Sequence, residues 1–273
     1  MISIKSDREI EIMKEAGYIN YLTHQELKKH LRPGITTNEL NDIADKFIRS
    51  HGGKPSCLGF EGYPKSICIS INDEVVHGIP SNRRIKKGDI VSFDFCTEYK
   101  GYNSDSANTY IVGDEAETNV KDLVKYTEEA LYVGLNEIKP GAKIGDIGHA
   151  IETFAHEHGL SVVEALVGHG VGTSIHEDPD VPNFGEKGTG ITLKKGMVIA
   201  VEPMLNLGTK EVCILDDGWT IVTEDEMPSA HFEHTVVVTK DGYKILTGER
   251  DDLNGKEWYY WSRRKSIGSF TRV

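Results

Sequence analysis

Ile90-Val-Ser-Phe-Asp-Phe-Cys-Thr-Glu-Tyr-Lys-Gly-Tyr-Asn-Ser-Asp105 reads as one β-hairpin that carries two carboxylates, Asp94 and Asp105. Asp94 lies inside an apolar run, between Phe93 and Phe95. A lone carboxylate is costly to desolvate there, and buried charges persist mainly when they are paired or bind metal. The plainer alternative is an Asp wetted at a strand end. A second copy tips the balance. Lys86-Lys-Gly-Asp-Ile-Val-Ser-Phe-Asp94 recurs as Lys194-Lys-Gly-Met-Val-Ile-Ala-Val-Glu202, so that a carboxylate falls six residues after Lys-Lys-Gly in both, 108 positions apart.

The flanking segments repeat too. Pro33-Gly34 followed by Leu40, Phe47, His51 and Gly52 aligns with Pro140-Gly141 followed by Ile147, Phe154, His158 and Gly159, at an offset of 107. This period is far too long for a solenoid. It predicts an α+β fold of two pseudo-symmetric half-domains, about 9–115 and 119–240, each with paired helices and antiparallel β-structure. Asp94 and Glu202 then occupy equivalent places and can meet at the pseudo-two-fold axis. Residues 1–250 are expected to form one domain, followed by a basic, aromatic extension over 251–273.

A net charge of −12 over 273 residues argues against general nucleic-acid or membrane binding. The N-terminus lacks an apolar signal core, and no run approaches the roughly 20 apolar residues of a membrane-spanning helix. A cytoplasmic location is expected. Four cysteines, Cys57, Cys68, Cys96 and Cys213, show no Cys-x-x-Cys spacing, which fits reduced thiols.

Ser6-Asp-Arg-Glu9 is a capping box that opens a helix carrying Met13, Ala16, Gly17 and Leu27; Thr36 with Glu39 opens the next, through Phe47. Ser66-Ile-Cys-Ile-Ser-Ile71 alternates as a half-buried strand. His77 ends the apolar segment Val75–Pro80, where a single histidine is more often structural. Residues 119–159 supply the second helix pair. In Val167-Gly-His-Gly-Val-Gly-Thr-Ser-Ile-His-Glu-Asp-Pro179 the glycines at 168, 170 and 172 forbid a stable helix and predict a tight loop bearing His169 and His176. Farther on, the two-residue strand period puts His231 and Glu233 on one strand face.

Four carboxylates, Asp94, Asp105, Glu202 and Glu233, converging with one imidazole, His169, would place about four negative charges in a closed space. Two divalent cations would cancel them, in the arrangement used for metal-assisted hydrolysis. Oxygen-rich ligands with one nitrogen suit Mn²⁺, Fe²⁺, Co²⁺ or Zn²⁺, and all four stay open.

These residues carry a family resemblance. The chain resembles the type I methionine aminopeptidases, whose pita-bread fold is shared with prolidases and creatinases. The resemblance rests on Pro55-Ser-Cys-Leu-Gly59, Gly62–Asn72, Val75–Pro80, Gly88-Asp-Ile-Val, Gly168–Gly172, His176-Glu-Asp-Pro179, Val201-Glu-Pro-Met204, Asp217-Gly-Trp-Thr220 and Phe232-Glu-His-Thr235. It implies that Asp94, Asp105, His169, Glu202 and Glu233 are the dimetal ligands. Glu202 is also implied as proton shuttle, His176 as oxyanion stabiliser and His77 as the hydrogen-bond partner of the scissile peptide. The methionine pocket is implied to form around Phe60, Tyr63, Cys68, Ile175 and Trp219. The implied substrates are N-terminal peptides of nascent proteins, and a monomer is expected. Prolidase or proline aminopeptidase activity is the alternative, although such relatives usually carry an extra N-terminal domain. A non-catalytic pita-bread binding protein would have lost ligands, and none is missing.

Three positions depart from the family pattern. Glu61 stands where bacterial relatives often carry His, Cys96 replaces a Thr, and His231 replaces a Gln. For Cys96 and His231 a packed thiol and a supporting hydrogen bond are expected rather than extra ligation. The tail from Lys256 to Val273 suggests two uses: docking on ribosomal RNA through phosphate contacts and stacking, or packing back over an edge of the body.

Overall fold

The computed structural model describes residues 2–113 and 115–249. The 251–273 extension, with both uses suggested for it, lies outside the described residues. The helices are α1 (Asp7–His30), α2 (Thr37–Ser50), α3 (Thr118–Leu135) and α4 (Ile144–Glu157). The strands of the first half are β1 (Lys54–Pro55), β2 (Cys68–Ile71), β3 (Glu74–Val76), β4 (Ile90–Tyr99) and β5 (Tyr102–Ile111). Those of the second half begin with β6 (Ser161–Val162), β7 (Gly168–Gly170), β8 (Glu177–Val181), β9 (Val198–Val201) and β10 (Met204–Asn206). They end with β11 (Val212–Ile214), β12 (Ile221–Thr223), β13 (Ser229–His231), β14 (His234–Val238) and β15 (Tyr243–Ile245).

Both capping boxes form: Ser6 with Glu9 opens α1, and Thr36 with Glu39 opens α2. Each satisfies two amide groups that a helix start leaves unpaired. The second helix runs on to Ser50, past the Phe47 limit read from sequence. The hairpin β4–β5 turns at Lys100-Gly101, both with positive φ, a geometry whose twist matches that of the flanking strands. β5 covers one edge of β4 along its whole length, while β1 and β2 follow one another along the other edge. β2 corrects one expectation. All four of its residues are buried: Ile69 and Ile71 enter the first-half core, and the segment after β3 folds back on the strand, where the Gly78 amide donates to Ser70 Oγ.

The apolar core follows the two halves. Leu27, Leu40, Ile48, Ile69, Phe93 and Phe95 pack between α1, α2 and the first sheet. Leu131, Ile147, Ile151, Ile199, Val201 and Leu205 pack between α3, α4 and the second-half strands. Full burial of each such side chain contributes roughly 1.5–3 kcal/mol. The halves meet along a seam stitched by hydroxyls. Thr235 Oγ1 accepts from the Asp105 amide at 2.9 Å and donates to the Asp105 carbonyl at 2.7 Å. Thr109 Oγ1 does the same for the amide and carbonyl of His231, at 2.9 and 2.8 Å. Among the described residues no helix is long and apolar enough to cross a membrane.

His24, on α1, is buried against Phe95 and lies 3.1 Å from Ser106 Oγ. Desolvation holds its imidazole neutral, with a pKa down at about 3. A folded-state pKa below the unfolded value near 6.5 means that the stabilisation is present above pH 6.5 and fades as pH falls below it. The melting temperature of the Mn²⁺-loaded protein is therefore expected to drop between pH 6.5 and 5, at ~1.4 kcal/mol per pH unit for each such imidazole. His24→Gln should flatten that slope by one proton; an unchanged slope would refute the assignment.

Candidate metal centre

The hairpin register places Asp94 opposite Ala107 and Cys96 opposite Asp105, so Asp94, Cys96 and Asp105 share one face of the sheet. That face looks onto the second half, where two strand pairs change sheets side by side. β9 pairs with β14 up to Val201 and His234, and β10 resumes against β13 at Met204 and His231. Between them lie Glu202-Pro203 and Phe232-Glu233. Pro203 has no amide to offer a ladder, which favours the break there, and the freed Glu233 amide donates instead to Ala107 O at 2.9 Å. Both second-half carboxylates thus project from the point where the chain leaves one sheet for another. His231 and Glu233 are not on one strand, as the two-residue period suggested, because β13 ends at His231 and Glu233 falls in the gap.

His169 does not come from a loop. It is the middle residue of β7, which lies between β8 and β9 in a five-stranded sheet. The glycines around it serve strand approach rather than flexibility. A Cβ on Gly168 would stand 2.4 Å from Ala200 O, and one on Gly170 2.2 Å from Asp178 O. His176 is in the bend just before β8, as a loop residue should be.

One cavity of about 540 Å³ is lined by all five predicted ligands, Asp94, Asp105, His169, Glu202 and Glu233. His77, His176, Phe60, Tyr63, Cys68, Ile175 and Trp219 line it as well. Ligand atoms of Asp105, His169 and Glu233 all lie within 4.8 Å of one another. Glu202 Oε1 joins them at 3.4 Å from His169 Nε2, while Asp94 falls outside the 4.8 Å group and lines the same cavity from the hairpin face it shares with Asp105. The aromatic wall is built of edge contacts: Tyr63 on Trp219, with ring centres 5.1 Å apart, and Phe60 on His176, at 5.3 Å. His77 takes a left-handed φ of 61°, uncommon for a residue with a Cβ, where the chain tightens before Gly78. Sequence reading missed Cys57, Val76, Leu166 and Met204 as wall residues. Cys57 and Met204 sit inside quoted motifs, but nothing in their own spacing says which way they face.

The donor set fits divalent cations. His169 Nδ1 lies 2.9 Å from the Gly170 carbonyl. A carbonyl only accepts, so Nδ1 carries the proton. Desolvation, helped by His176, lowers the His169 pKa to about 4, so the ring is neutral and its lone pair is on Nε2. That lone pair faces Glu202 Oε1 at 3.4 Å and Asp105 Oδ2 at 3.9 Å. Acceptors facing acceptors repel unless a proton or a metal cation lies between them. Asp105 Oδ1 and Glu233 Oε1 are buried with no hydrogen-bond partner among the described residues, which leaves both available as ligands. Burial, reinforced by mutual repulsion, raises Asp94, Glu202 and Glu233 well above the usual carboxylate range, and burial pushes Asp105 up to about 7. Such groups stay ionised near neutrality only beside compensating charge.

Cys96 takes the supporting position expected of it, whereas His231 does not: neither of its ring nitrogens has a hydrogen-bond partner among the described residues. The Cys96 thiol donates to Asp105 Oδ2 at 2.7 Å, and His231 Nε2 lies 3.7 Å from Glu202 Oε2. Glu61 is exposed on the cavity rim, in a left-handed conformation with φ 48°.

Residues 11–240 match the model of metallopeptidase family M24. Methionine aminopeptidase 1 of Bacillus subtilis is 51% identical over 247 residues, spanning 90% of this chain and 99% of the relative. The crystal structure of methionine aminopeptidase from Rickettsia prowazekii superposes with a TM-score of 0.89 at 44% identity, covering 90% of this chain and all of that one. The prolidase of Pyrococcus furiosus superposes less well, with a TM-score of 0.72 at 25% identity, and this chain covers 66% of its length. A divalent-metal donor set seated in the pita-bread fold, together with this extent of likeness, places the chain in metallopeptidase family M24.

Proposed function

We propose that the chain is a methionyl aminopeptidase that removes the N-terminal methionine from nascent proteins, with residues 1–250 as its catalytic domain. Asp94, Asp105, His169, Glu202 and Glu233 would hold two divalent ions. The observation that carries this is the His169 lone pair, set beside the Asp105 and Glu202 carboxylates, with Asp105 Oδ1 and Glu233 Oε1 buried and without a hydrogen-bond partner among the described residues. When bound, such ions lower the pKa of water toward neutrality and polarise the substrate carbonyl. Any of Mn²⁺, Fe²⁺, Co²⁺ or Zn²⁺ suits this mixture of oxygen and imidazole donors.

The chain's own groups do the rest. Glu202 reaches the cavity from the sheet switch and accepts the proton of the attacking water, then returns it to the leaving amine. His176, packed edge-on against Phe60 and 4.2 Å from the His169 ring centre, donates to the oxyanion. His77, held at its strained φ, hydrogen-bonds the scissile peptide. Phe60, Tyr63, Cys68, Ile175 and Trp219 form a slot of rings and sulfur, which suits an unbranched thioether side chain.

Prolidase activity is the competing reading. Supplied with Mn²⁺, the protein should release methionine from Met-Ala-Ser and leave Ala-Pro intact. Cleavage of Ala-Pro alone would replace the proposal with prolidase, and cleavage of neither would favour a binding protein.

A further inference from the structure

Cys57, Cys68 and Cys96 all line the cavity, and the proposed chemistry uses neither Cys57 nor Cys96. Their meeting follows from the sheet. Because β1 and β2 succeed one another along the same edge of β4, residue 57, in the gap between them, falls beside Cys96. The Ser56 amide donates to Cys96 O at 3.0 Å, and the Cys96 amide reaches Cys57 Sγ at 3.4 Å. The Cys68 and Cys96 sulfurs both lie within hydrogen-bonding reach of Cys57 Sγ, and donation from the Cys68 thiol and the Cys96 amide draws the Cys57 pKa below that of an ordinary thiol. Cys57 is half-buried, whereas Cys96 is buried with its S–H directed at Asp105 Oδ2, 2.7 Å away. Among the described residues Asp105 Oδ1 has no partner, so beside the Ser106 amide the Cys96 thiol is the side chain that sets how this carboxylate is turned.

We infer that Cys57 and Cys96 form a dithiol oxidation site, in which a hydroperoxide entering the cavity closes a Cys57–Cys96 disulfide and deprives Asp105 of its orienting donor. The chemistry balances. Cys57 sulfur attacks the peroxide, the O–O bond breaks, and Cys57 sulfenic acid and an alcohol or water result. Cys96 sulfur then attacks the sulfenic sulfur, and water leaves with the thiol proton. The two thiols lose two electrons and the peroxide gains them. Cys68 competes as resolving thiol, but only Cys96 shares a strand-edge contact with Cys57 and only its loss alters Asp105. The consequence for metal rests on the metal-centre reading above; the disulfide itself does not.

The test uses the full chain loaded with Mn²⁺, carrying Cys213→Ser because that thiol is exposed. A few equivalents of hydrogen peroxide should remove two hydrogens from the intact mass and join the peptides containing Cys57 and Cys96. Mn²⁺ affinity, read by titration rather than by activity, should fall about 10–100-fold, as expected when a group supporting a ligand is lost, and dithiothreitol should restore it. Cys96→Thr, which keeps a hydroxyl for Asp105, should show no such link and no peroxide effect on Mn²⁺ affinity. A Cys57–Cys68 link, oxidised Cys57 without a link to Cys96, or a link that leaves Mn²⁺ affinity within threefold would overturn the inference. Failure of the reduced protein to bind Mn²⁺ at all defeats the metal-centre reading, and the peptide map still tests the disulfide.

Discussion

Chelation with EDTA should abolish cleavage of Met-Ala-Ser and, in the same samples, make the fold's stability strongly dependent on pH. Without cations, Asp105 has a pKa pushed up to about 7 by desolvation, and Asp94, Glu202 and Glu233 are raised well above the ordinary range. Their unfolded pKa values lie near 4. Between those limits the folded state holds more protons than the unfolded one, so stability falls as pH rises. Each such group contributes a slope of up to ~1.4 kcal/mol per pH unit. The metal-free protein should therefore melt at progressively lower temperature from pH 4.5 to 7, and Mn²⁺ or Co²⁺ should restore both stability and cleavage. Calorimetry across that range decides it: melting that ignores both pH and added ion would mean that the acidic groups are not a cation site. This trend opposes that of His24, so the two are separated by chelator. The carboxylate slope disappears on metal loading and the histidine slope remains.

The second large effect belongs to Glu202. Glu202→Gln preserves shape and reach at the sheet switch but cannot carry a proton, so kcat should fall by about 10²–10⁴. KM for Met-Ala-Ser should move only a few-fold, because the proposed methionine slot of Phe60, Tyr63 and Trp219 lies on other elements. Mn²⁺ stoichiometry measured on the same preparation separates a lost ligand from a lost proton carrier. A kcat within threefold of the parent, with metal retained, would remove Glu202 from the proton path.

Much of this was legible in one dimension because the signals are short-range. The hairpin face shared by Asp94 and Asp105 follows from strand alternation, and the capping boxes at Ser6 and Thr36 follow from a three-residue spacing. The recurrence of Lys-Lys-Gly before Asp94 and Glu202 exposes the duplication. What was misread depends on neighbours distant in sequence. Glycines 168 and 170 look like loop residues, yet they are there because Ala200 and Asp178 carbonyls crowd β7 on both sides. β2 alternates like a half-buried strand, yet the chain returning at Gly78 covers its other face.

Residue order alone picks out five candidate ligands and the half in which each resides, since burying that much acid beside apolar runs demands compensation. Their convergence is a property of three-dimensional packing. The Thr235 and Thr109 hydroxyls register one half on the other, and the side-by-side breaks at Glu202-Pro203 and Phe232-Glu233 turn both carboxylates inward. The Gly170 carbonyl selects the His169 tautomer. The contact of Cys57 with Cys96 is of the same kind, because two strands sharing one edge of β4 bring together thiols that no spacing rule connects.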